Sequence, residues 1–566
     1  MENRKNMVSK ASDKPAIARL VAICHSHGLK RVLVSPGSRN APLSLSFTEH
    51  GGFDVKVIPD ERAAGFMALG MSQVDHVPTI LLCTSGSAVL NYAPAVAEAF
   101  YQRIPLLVIS ADRPNEWVDQ LEGQTMMQKG VLSNFVNKEF DLPQEPKDDV
   151  TLRYHDRLVN EAIAACFYPV LAPVHLNVHL REPLYGLSEM KEMPYVIQVH
   201  ESPAALPCEK LIKELSEELN SYSKVMLLMG LHSPDEALKK VLEGLIEKGW
   251  VLLNESSSNL QGEKVISCID RSLGALPAEA EMDFQPELII SFAGPLVSKK
   301  IKQRFRKNPP KAHWHIDAHQ AHIDMFQCQT RALRFEPFEI LKALNKVMVR
   351  GDGNFSAAWM NLKQKSAQRH ERFVELCPWS DMRAYSEIFK NLKGEYKVQM
   401  ANSAAVRYAQ LYEHEHLEFY GNRGVSGIDG CSSTAVGMAH ESDSPVVLLT
   451  GDMAFRYDVN AFWTKEIPSG LKCIVVNNGG GGIFRIIPGP KESGHLEDLF
   501  EAAMENSAKR VAEISGMPYL SAKNAEELNT ALNTLFSDDK SMILEVFTPR
   551  EENEKVLAKY FEALKK

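Results

Sequence analysis

The chain has 566 residues, too many for one ordinary hydrophobic core, and this length predicts three or four domains. The charged fraction of 24% is normal for a soluble globular protein. A formal net charge of −9 argues against a general nucleic-acid-binding protein, which needs a basic surface, but it leaves room for anionic small molecules bound by local arginines.

Cysteines, histidines and hydropathy exclude several further classes of protein. The nine cysteines are dispersed without a CxxC pair, which predicts reduced thiols in a cytoplasmic protein rather than a disulfide framework or a zinc site. The histidines form no HExxH pair. Four of them are interpreted as structural or solvent-exposed: His25, His27, His313 and His315. With no secretory signal and no uninterrupted apolar segment of about 18 residues, a membrane span is not expected.

Short apolar strands alternate with helices along the first third of the chain. Ile17, Leu20 and Cys24 recur at the spacing of one helix face, which predicts a helix near the start. Further elements are predicted as strands at Val32–Val34, Val55–Ile58, Thr79–Cys83, Leu106–Ser110 and Val174–Leu180, and as helices at Ala63–Gln73 and Ala88–Tyr101. Nearly continuous apolar strands between helices are typical of a buried parallel sheet.

The same α/β alternation recurs in the middle and last thirds. Strands are predicted at Val225–Met229, Val251–Asn254, Leu288–Phe292, His313–Ile316, Leu417–Tyr420, Val446–Thr450, Cys473–Val476 and Met542–Phe547. The stretch near Leu187–Pro207 and the polar helical segment from Asp352 to about Cys377 are interpreted as connectors. We therefore predict an α/β protein with three doubly wound parallel-sheet domains, at residues 1–186, 205–350 and 378–566.

The strongest chemical signal lies in the last third, where two apolar strands end in polar residues. One strand is followed by Asp452, and the next is followed by Asn478 and the glycines at 479–482. Ligands gather at the carboxyl ends of strands in an open parallel sheet, so these side chains should lie together. A carboxylate, an amide oxygen and a backbone carbonyl suit Mg²⁺, which commonly bridges to phosphate groups. Asp452 alone could simply cap a helix, but the paired strand ends favour a metal site.

This segment resembles the thiamine-diphosphate motif of the decarboxylase and acetolactate-synthase superfamily, in which Gly-Asp-Gly is followed, after a spacer, by Asn-Asn. The chain has Gly451-Asp452-Met453, so the third motif position departs, although it supplies no side-chain ligand in the family. The resemblance implies thiamine diphosphate and Mg²⁺ as cofactors, with Mn²⁺ able to replace Mg²⁺. It also implies that Asp452, Asn478 and the carbonyl of Gly480 hold the metal, and that Gly451 lies against the cofactor.

A second acidic element follows the strand Val55–Ile58, where Glu61 opens a helix. In isolation, this residue would be interpreted as stabilising the helix dipole. In thiamine enzymes a glutamate at this place hydrogen-bonds the aminopyrimidine ring and promotes removal of the thiazolium C2 proton, a role that partial burial and a raised pKa support. The resemblance therefore implies that Glu61 is the catalytic and cofactor-binding residue. It also implies a homodimer in which Glu61 reaches the cofactor of the partner subunit.

Several further segments resemble one branch of the superfamily, which joins decarboxylated 2-oxoglutarate to isochorismate in menaquinone biosynthesis. They are Ser35–Leu43, Thr84–Asn91, Ser110–Pro114, Gly123–Gln128, Tyr420–Asp429 and Asn477–Phe484. The resemblance is close in the first and last thirds and weak in the middle third. Both substrates are dicarboxylates, which arginine can bind through two parallel hydrogen bonds.

By position, this resemblance implies a set of substrate-facing residues: Ser38, Arg39, Arg113, Gln124, Lys299, Arg423, Ile483 and Phe484. The last two would form an apolar wall beside the thiazolium ring, or they could pack in the core. Each arginine could instead form a structural ion pair, and Lys299 could belong to a solvated helix face. In some relatives a further basic residue follows Arg423; the corresponding position here is His440, which leaves that contact to 2-oxoglutarate open.

The implied reaction is decarboxylation of 2-oxoglutarate and 1,4-addition of the resulting carbanion to isochorismate. An acetolactate-synthase-like enzyme or a 2-oxoacid decarboxylase would share the metal motif but would need fewer arginines. A dinucleotide-binding oxidoreductase is disfavoured, because the glycines at 479–482 lack the G-x-G-x-x-G pattern in its strand–helix setting. A catalytically inactive relative is disfavoured because Glu61, Asp452 and Asn478 are all present.

Overall fold

The computed structural model describes residues 10–189, 194–199, 204–277, 282–347, 350–414, 416–465, 467–486, 489–503 and 507–566. These residues form three parallel β-sheets flanked by helices, one in each third of the chain. The predicted α/β fold class is therefore confirmed. Within the described residues, every helix is too short or too polar to cross a membrane.

The first third of the chain carries the first sheet. The strands in this third of the chain are β1 (Lys10–Ser12), β2 (Arg31–Val34), β3 (Asp54–Val57), β4 (Thr79–Cys83), β5 (Leu106–Asp112), β6 (Lys138–Asp141), β7 (Val174–His179) and β8 (Leu187–Glu189). Its helices are α1 (Pro15–Ser26), α2 (Ala41–Glu49), α3 (Glu61–Asp75), α4 (Ala88–Asn91), α5 (Ala93–Gln102) and α6 (Asp149–Ala165). Strands β2 to β7 are parallel in the order β3-β2-β4-β5-β7-β6, while β1 pairs antiparallel with β8.

The central third carries a five-stranded parallel sheet. Its strands are β9 (Val225–Met229), β10 (Val251–Leu253), β11 (Leu288–Phe292), β12 (Ala312–Ile316) and β13 (Gln329–Leu333). Its helices are α7 (Glu209–Leu219), α8 (Glu236–Glu247), α9 (Ile269–Gly274), α10 (Lys299–Lys307) and α11 (Pro337–Asn345). The strand order is β10-β9-β11-β12-β13. The long helix α12 (Gly353–Leu376) then occupies the second predicted connector.

The last third carries the third sheet, whose six strands are parallel. They are β14 (Tyr396–Met400), β15 (Leu417–Gly421), β16 (Val446–Gly451), β17 (Leu471–Asn477), β18 (Tyr519–Ala522) and β19 (Met542–Phe547). The helices are α13 (Asp381–Asn391), α14 (Ala404–Ala409), α15 (Cys431–Glu441), α16 (Asp452–Tyr457), α17 (Ile483–Ile486), α18 (Lys509–Ser515), α19 (Ala525–Ser537) and α20 (Arg550–Ala563). The strand order is β15-β14-β16-β17-β19-β18.

The predicted domain limits stay a prediction, although each parallel sheet lies inside one predicted range. The first predicted connector contains β8, and its residues 190–193 and 200–203 lie outside the described part of the chain. The predicted helix Ala88–Tyr101 is two helices, α4 and α5, separated at Tyr92. Pro94 lies in the first turn of α5, where its missing N–H costs no hydrogen bond, whereas inside a continuous helix it would.

Helices α3 and α15 bring the first and third domains into close contact. A Cβ atom on Gly70 would lie 2.0 Å from the carbonyl oxygen of Thr434, and one on Gly437 would lie 2.0 Å from that of Met67. The two helices can therefore approach this closely only with glycine at both positions. At one end of this contact, Arg31 forms an ion pair with Glu441 at 3.4 Å.

Candidate active site

Two neighbouring strands of the third sheet end beside each other. Strands β16 and β17 are parallel, and Gly451 at the end of β16 pairs with Val476. Asp452 is the first residue after β16, and Asn478 is the first after β17. The structure therefore brings Asp452 and Asn478 to the same edge of the sheet, as the sequence predicts.

Each of these two side chains has an oxygen atom that lacks a hydrogen-bond partner in the described part of the chain. Oδ2 of Asp452 and Oδ1 of Asn478 are both buried without a hydrogen-bond partner. Burial raises the pKa of Asp452 to about 6, against the opposing effect of Arg456, whose guanidinium lies 3.9 Å away. Buried oxygens without partners are costly unless a ligand satisfies them. A carboxylate and an amide oxygen in this state fit a hard divalent cation.

Asp381, at the start of α13, fixes the orientation of Asn478. Its Oδ2 accepts a hydrogen bond from Nδ2 of Asn478 at 3.1 Å, and its Oδ1 accepts one from the hydroxyl of Thr548 at 2.6 Å. Because Nδ2 points to Asp381, Oδ1 of Asn478 is left for another partner. Asp381 has no local signature in the sequence, since its contact with Asn478 joins distant parts of the chain.

The glycines after Asn478 form a tight loop. Gly479 and Gly480 have φ angles of +82° and +155°, which favour glycine. A Cβ atom on Gly480 would lie 2.9 Å from the carbonyl oxygen of Glu501, so the loop also lacks room for a side chain there. The carbonyl of Gly480 accepts a hydrogen bond from the amide of Gly482 at 2.9 Å and retains a second lone pair. This loop can therefore offer a third oxygen to a cation.

Ile483 and Phe484 follow this loop in the short helix α17 and are only partly buried. The ring of Phe484 lies against that of Phe500, with 5.7 Å between centroids. Neither residue is enclosed in the core, so both remain available as an apolar wall. Gly451, the other predicted cofactor contact, has open space where a Cβ would project.

Glu61 is the first residue of α3, and Asp60 caps this helix by accepting hydrogen bonds from the amides of Arg62 and Ala63. Burial raises the pKa of Glu61 above its usual range, as an acid that must hold a proton requires. Burial, and secondly the charge of Glu61, also raise the pKa of the Cys83 thiol.

Arg39 and Arg113 form one cationic cluster at the edge of the first sheet. Arg39 is buried, and it donates hydrogen bonds to the carbonyl of Leu180 at 2.9 Å and to Oε1 of Glu182 at 3.2 Å. Burial, and secondly the charge of Arg113, lower the pKa of Arg39. Among the described residues, Nε of both arginines is buried without a hydrogen-bond partner. Two neighbouring guanidiniums with unused donors form a favourable site for a carboxylate.

Ser38 and Gln124 are chain neighbours of this cluster. Both are exposed, and Ser38 directly precedes Arg39. Gln124 has a φ angle of +56° and follows Gly123, whose carbonyl accepts a hydrogen bond from Arg113 at 2.8 Å. These four residues of the predicted substrate-facing set therefore lie in the first domain, and the other four lie outside it.

A second cationic cluster lies between the third and central domains. Arg423, which follows β15, donates to Oδ1 of Asn402, and its Nε is buried without a partner in the described structure. Burial, and secondly the charge of Arg423, lower the pKa of Arg407 on α14. Burial lowers the pKa of Lys302, with smaller effects from Arg423 and Lys299. Lys299 is exposed at the start of α10, one turn before Lys302 on the same helix.

Arg407, which the sequence analysis missed, is the second basic residue beside Arg423. His440 instead lies near the end of α15, whose last residue, Glu441, pairs with Arg31 of the first domain. The interpretation that His440 occupies the place of the further basic contact is thus not supported by its position in the fold.

Glu98 of the first domain holds the loop that carries Arg423. Its carboxylate accepts hydrogen bonds from the amides of Gly424 at 2.5 Å, Val425 at 2.7 Å and Ser426 at 3.2 Å. Burial raises the pKa of Glu98, while these amides lower it. The first domain therefore fixes the position of the second cationic cluster within the same chain.

Comparisons with known proteins identify the family of this chain. Three family models match the chain: the N-terminal TPP binding domain of thiamine pyrophosphate enzymes at residues 16–135, their middle domain at 211–387 and their C-terminal TPP binding domain at 400–546. Relatives from Porphyromonas gingivalis and Christiangramia forsetii are 38% and 37% identical, each over 98% of this chain and over 98% and 100% of their own lengths. A Bacteroides thetaiotaomicron relative is 35% identical over 98% of this chain and 99% of its own. All three are named 2-succinyl-5-enolpyruvyl-6-hydroxy-3-cyclohexene-1-carboxylate synthase.

Proposed function

We propose that this chain, which belongs to the thiamine pyrophosphate enzyme family and within it to the 2-succinyl-5-enolpyruvyl-6-hydroxy-3-cyclohexene-1-carboxylate synthases, joins decarboxylated 2-oxoglutarate to isochorismate. It is then a transferase of menaquinone biosynthesis that releases carbon dioxide. The observation that carries this proposal is that Nε of Arg39, Arg113 and Arg423, in the two arginine clusters, is buried without a hydrogen-bond partner in the described residues. Two dicarboxylate substrates need two such clusters, whereas a simple 2-oxoacid decarboxylase needs fewer.

Asp452, Asn478 and the carbonyl of Gly480 would hold the metal ion, and Gly451 would lie against the diphosphate. We assign Mg²⁺, or Mn²⁺ in its place, because the unpaired donors are all oxygens. Bound thiamine diphosphate supplies a nucleophilic thiazolium carbon that can also accept the electrons released on decarboxylation. Ile483 and Phe484 would exclude water from that carbon.

Glu61 would hold a proton at the aminopyrimidine ring of the cofactor. Its raised pKa supports this role, because a carboxyl group that is readily protonated can share a proton with a ring nitrogen. We further propose a homodimer in which Glu61 serves the cofactor of the partner subunit. A cytoplasmic location stays a prediction.

The two clusters would divide the substrates between them. Arg39 and Arg113, together with Ser38 and Gln124, would bind isochorismate. Arg423 would bind 2-oxoglutarate, with Arg407 beside it and Lys299 contributed by the central domain. Each guanidinium can form two parallel hydrogen bonds with a carboxylate and so fix its orientation.

A coupled assay tests the function directly. The protein, supplied with thiamine diphosphate, Mg²⁺, 2-oxoglutarate and isochorismate, is expected to release carbon dioxide and form the synthase product. Pyruvate in place of 2-oxoglutarate is the donor control and should support little turnover. Brisk turnover with pyruvate and indifference to isochorismate would instead identify a 2-oxoacid decarboxylase.

Single arginine variants should separate the two substrates. Arg39→Ala and Arg113→Ala are expected to impair use of isochorismate by one to three orders of magnitude, since removing the partner of a desolvated carboxylate costs about 2–5 kcal/mol. Both should leave carbon dioxide release from 2-oxoglutarate, measured in a single turnover without isochorismate, near its original rate. Arg423→Ala should slow that release.

Arg372→Ala, which changes an exposed arginine on α12, is the matched control and should alter neither measurement. If Arg39→Ala, Arg113→Ala and Arg423→Ala slowed carbon dioxide release equally, the division of roles would be contradicted.

A further inference from the structure

The central domain contains a cluster of metal-binding side chains outside the residues assigned to the thiamine site. His313 lies on β12, whereas Asp324 and Cys328 lie between β12 and β13. One donor atom from each residue can be chosen so that all three lie within 4.8 Å of one another. Nδ1 of His313 lies 3.8 Å from Oδ1 of Asp324. The fold therefore brings a nitrogen, an oxygen and a sulfur donor into one small cluster.

The His313 ring is held with one nitrogen directed into this cluster. The side chain is fully buried, and Nδ1 has no hydrogen-bond partner in the described structure. Nε2 lies 2.7 Å from the hydroxyl of Ser291, which also lies 2.8 Å from Nδ1 of His315. If Nε2 donates to Ser291 and the hydroxyl donates to His315, Nδ1 of His313 carries a free lone pair. Such an outer hydrogen bond is what orients histidine ligands in metal sites.

Asp324 holds the loop that carries the thiol. Its Oδ1 accepts hydrogen bonds from the amides of Cys328 at 2.8 Å and Gln329 at 3.1 Å. These bonds fix Cys328 beside the carboxylate, and the partial exposure of Asp324 leaves a path for an ion and a water molecule. Local motifs such as CxxC do not reveal this set, because its ligands come from a strand and the following loop.

We propose that His313, Asp324 and Cys328 bind a Zn²⁺ ion, with water as the fourth ligand. Nitrogen and thiolate donors favour zinc over Mg²⁺ and Ca²⁺, which prefer oxygen alone. One thiolate and one carboxylate would balance the charge of the ion, and the thiol proton would pass to solvent on binding. This site is independent of the proposed synthase activity.

Metal titration of the holoenzyme tests the proposal. Chelator-treated protein is reloaded with thiamine diphosphate and excess Mg²⁺, then titrated with Zn²⁺ by calorimetry and with Co²⁺ by absorbance. We expect one tight ion per chain and, with Co²⁺, the charge-transfer band of a thiolate ligand. Cys328→Ser should remove this band, and both Cys328→Ser and Asp324→Asn should weaken Zn²⁺ binding by at least about 10-fold.

Cys208→Ser is the matched control, because Cys208 is an exposed free thiol of the same domain, and it should retain both signals. Because His313 is fully buried, its replacement could disturb folding, so the test uses the two loop variants, with circular dichroism to verify their fold. Failure of the unmodified protein to bind Zn²⁺ would overturn the proposal, as would binding that persists unchanged in Cys328→Ser and Asp324→Asn.

Discussion

Replacing Asp452 by alanine will weaken the Mg²⁺-dependent binding of thiamine diphosphate by more than about 100-fold. The variant loses the only charged ligand in the proposed set, and loss of even an outer partner of a metal ligand typically costs about 10–100-fold in affinity. Asp381→Asn tests such an outer partner, since Asp381 accepts a hydrogen bond from Asn478. We expect that variant to lose about 10–100-fold. Calorimetry with cofactor at fixed Mg²⁺ measures both effects.

The Asp452→Ala variant should not lower the unfolding temperature of the metal-free protein. Burial raises the pKa of Asp452 to about 6, so the folded state disfavours its ionised form, and that cost appears as pH rises through about 6. Alanine removes this cost but also removes the stabilisation that Mg²⁺ and cofactor provide. Asp443→Ala, at an exposed position shortly before β16, is the control and should change neither the cofactor affinity nor the unfolding temperature. Unchanged cofactor affinity in a folded Asp452→Ala variant would reject the metal assignment.

The ends of buried strands could be predicted from the sequence because their signal is local. An uninterrupted apolar run such as Val446–Thr450 predicts a strand covered on both faces, and the next polar residue then lies at the sheet edge. Asp452 and Asn478 could be placed together on this basis, and β16 and β17 are indeed neighbours.

Arg407 could not be placed in this way, because β14, the strand that precedes its helix α14, does not have an apolar sequence. Strand β14 contains Lys397 and Gln399, yet it lies between β15 and β16. Gln399 is buried, and its Nε2 donates to Oδ1 of Asn422 at 3.3 Å, a contact that the sequence pattern cannot reveal. With β14 unpredicted, its end and the helix that follows had no expected position.

The residues that orient the site are the other part that sequence patterns leave out. Asp381 contacts Asn478 from a distant helix, and Glu98 holds the Arg423 loop from a different domain. Neither has a local spacing that distinguishes it from other acidic residues. Residues such as Asp381 and Glu98 can be identified only from their contacts in the folded structure, whereas the residues that they hold can be identified in the sequence because they follow the ends of strands.

Glu61→Gln should keep the fold and bind cofactor, but lose most of its turnover. Glutamine can still hydrogen-bond the aminopyrimidine ring, but it cannot stabilise a proton there, and general acid–base groups typically contribute about 10²–10⁴-fold to rate. The raised pKa of Glu61 is the property that the amide lacks. The direct measurement is exchange of the thiazolium C2 proton by NMR, which we expect to slow by a similar factor.

The chain offers a closely matched control for this variant. Glu236 opens α8 as Glu61 opens α3, and Asp235 caps that helix through the same two amide positions as Asp60 does. If Glu61 served only the helix dipole, both glutamine variants would behave alike and lose about 0.3–1 kcal/mol of stability. We expect Glu236→Gln to show no more than that, with normal C2 exchange. Exchange at the original rate in Glu61→Gln would mean that another group activates the cofactor, and that the burial of Glu61 serves only the structure of α3.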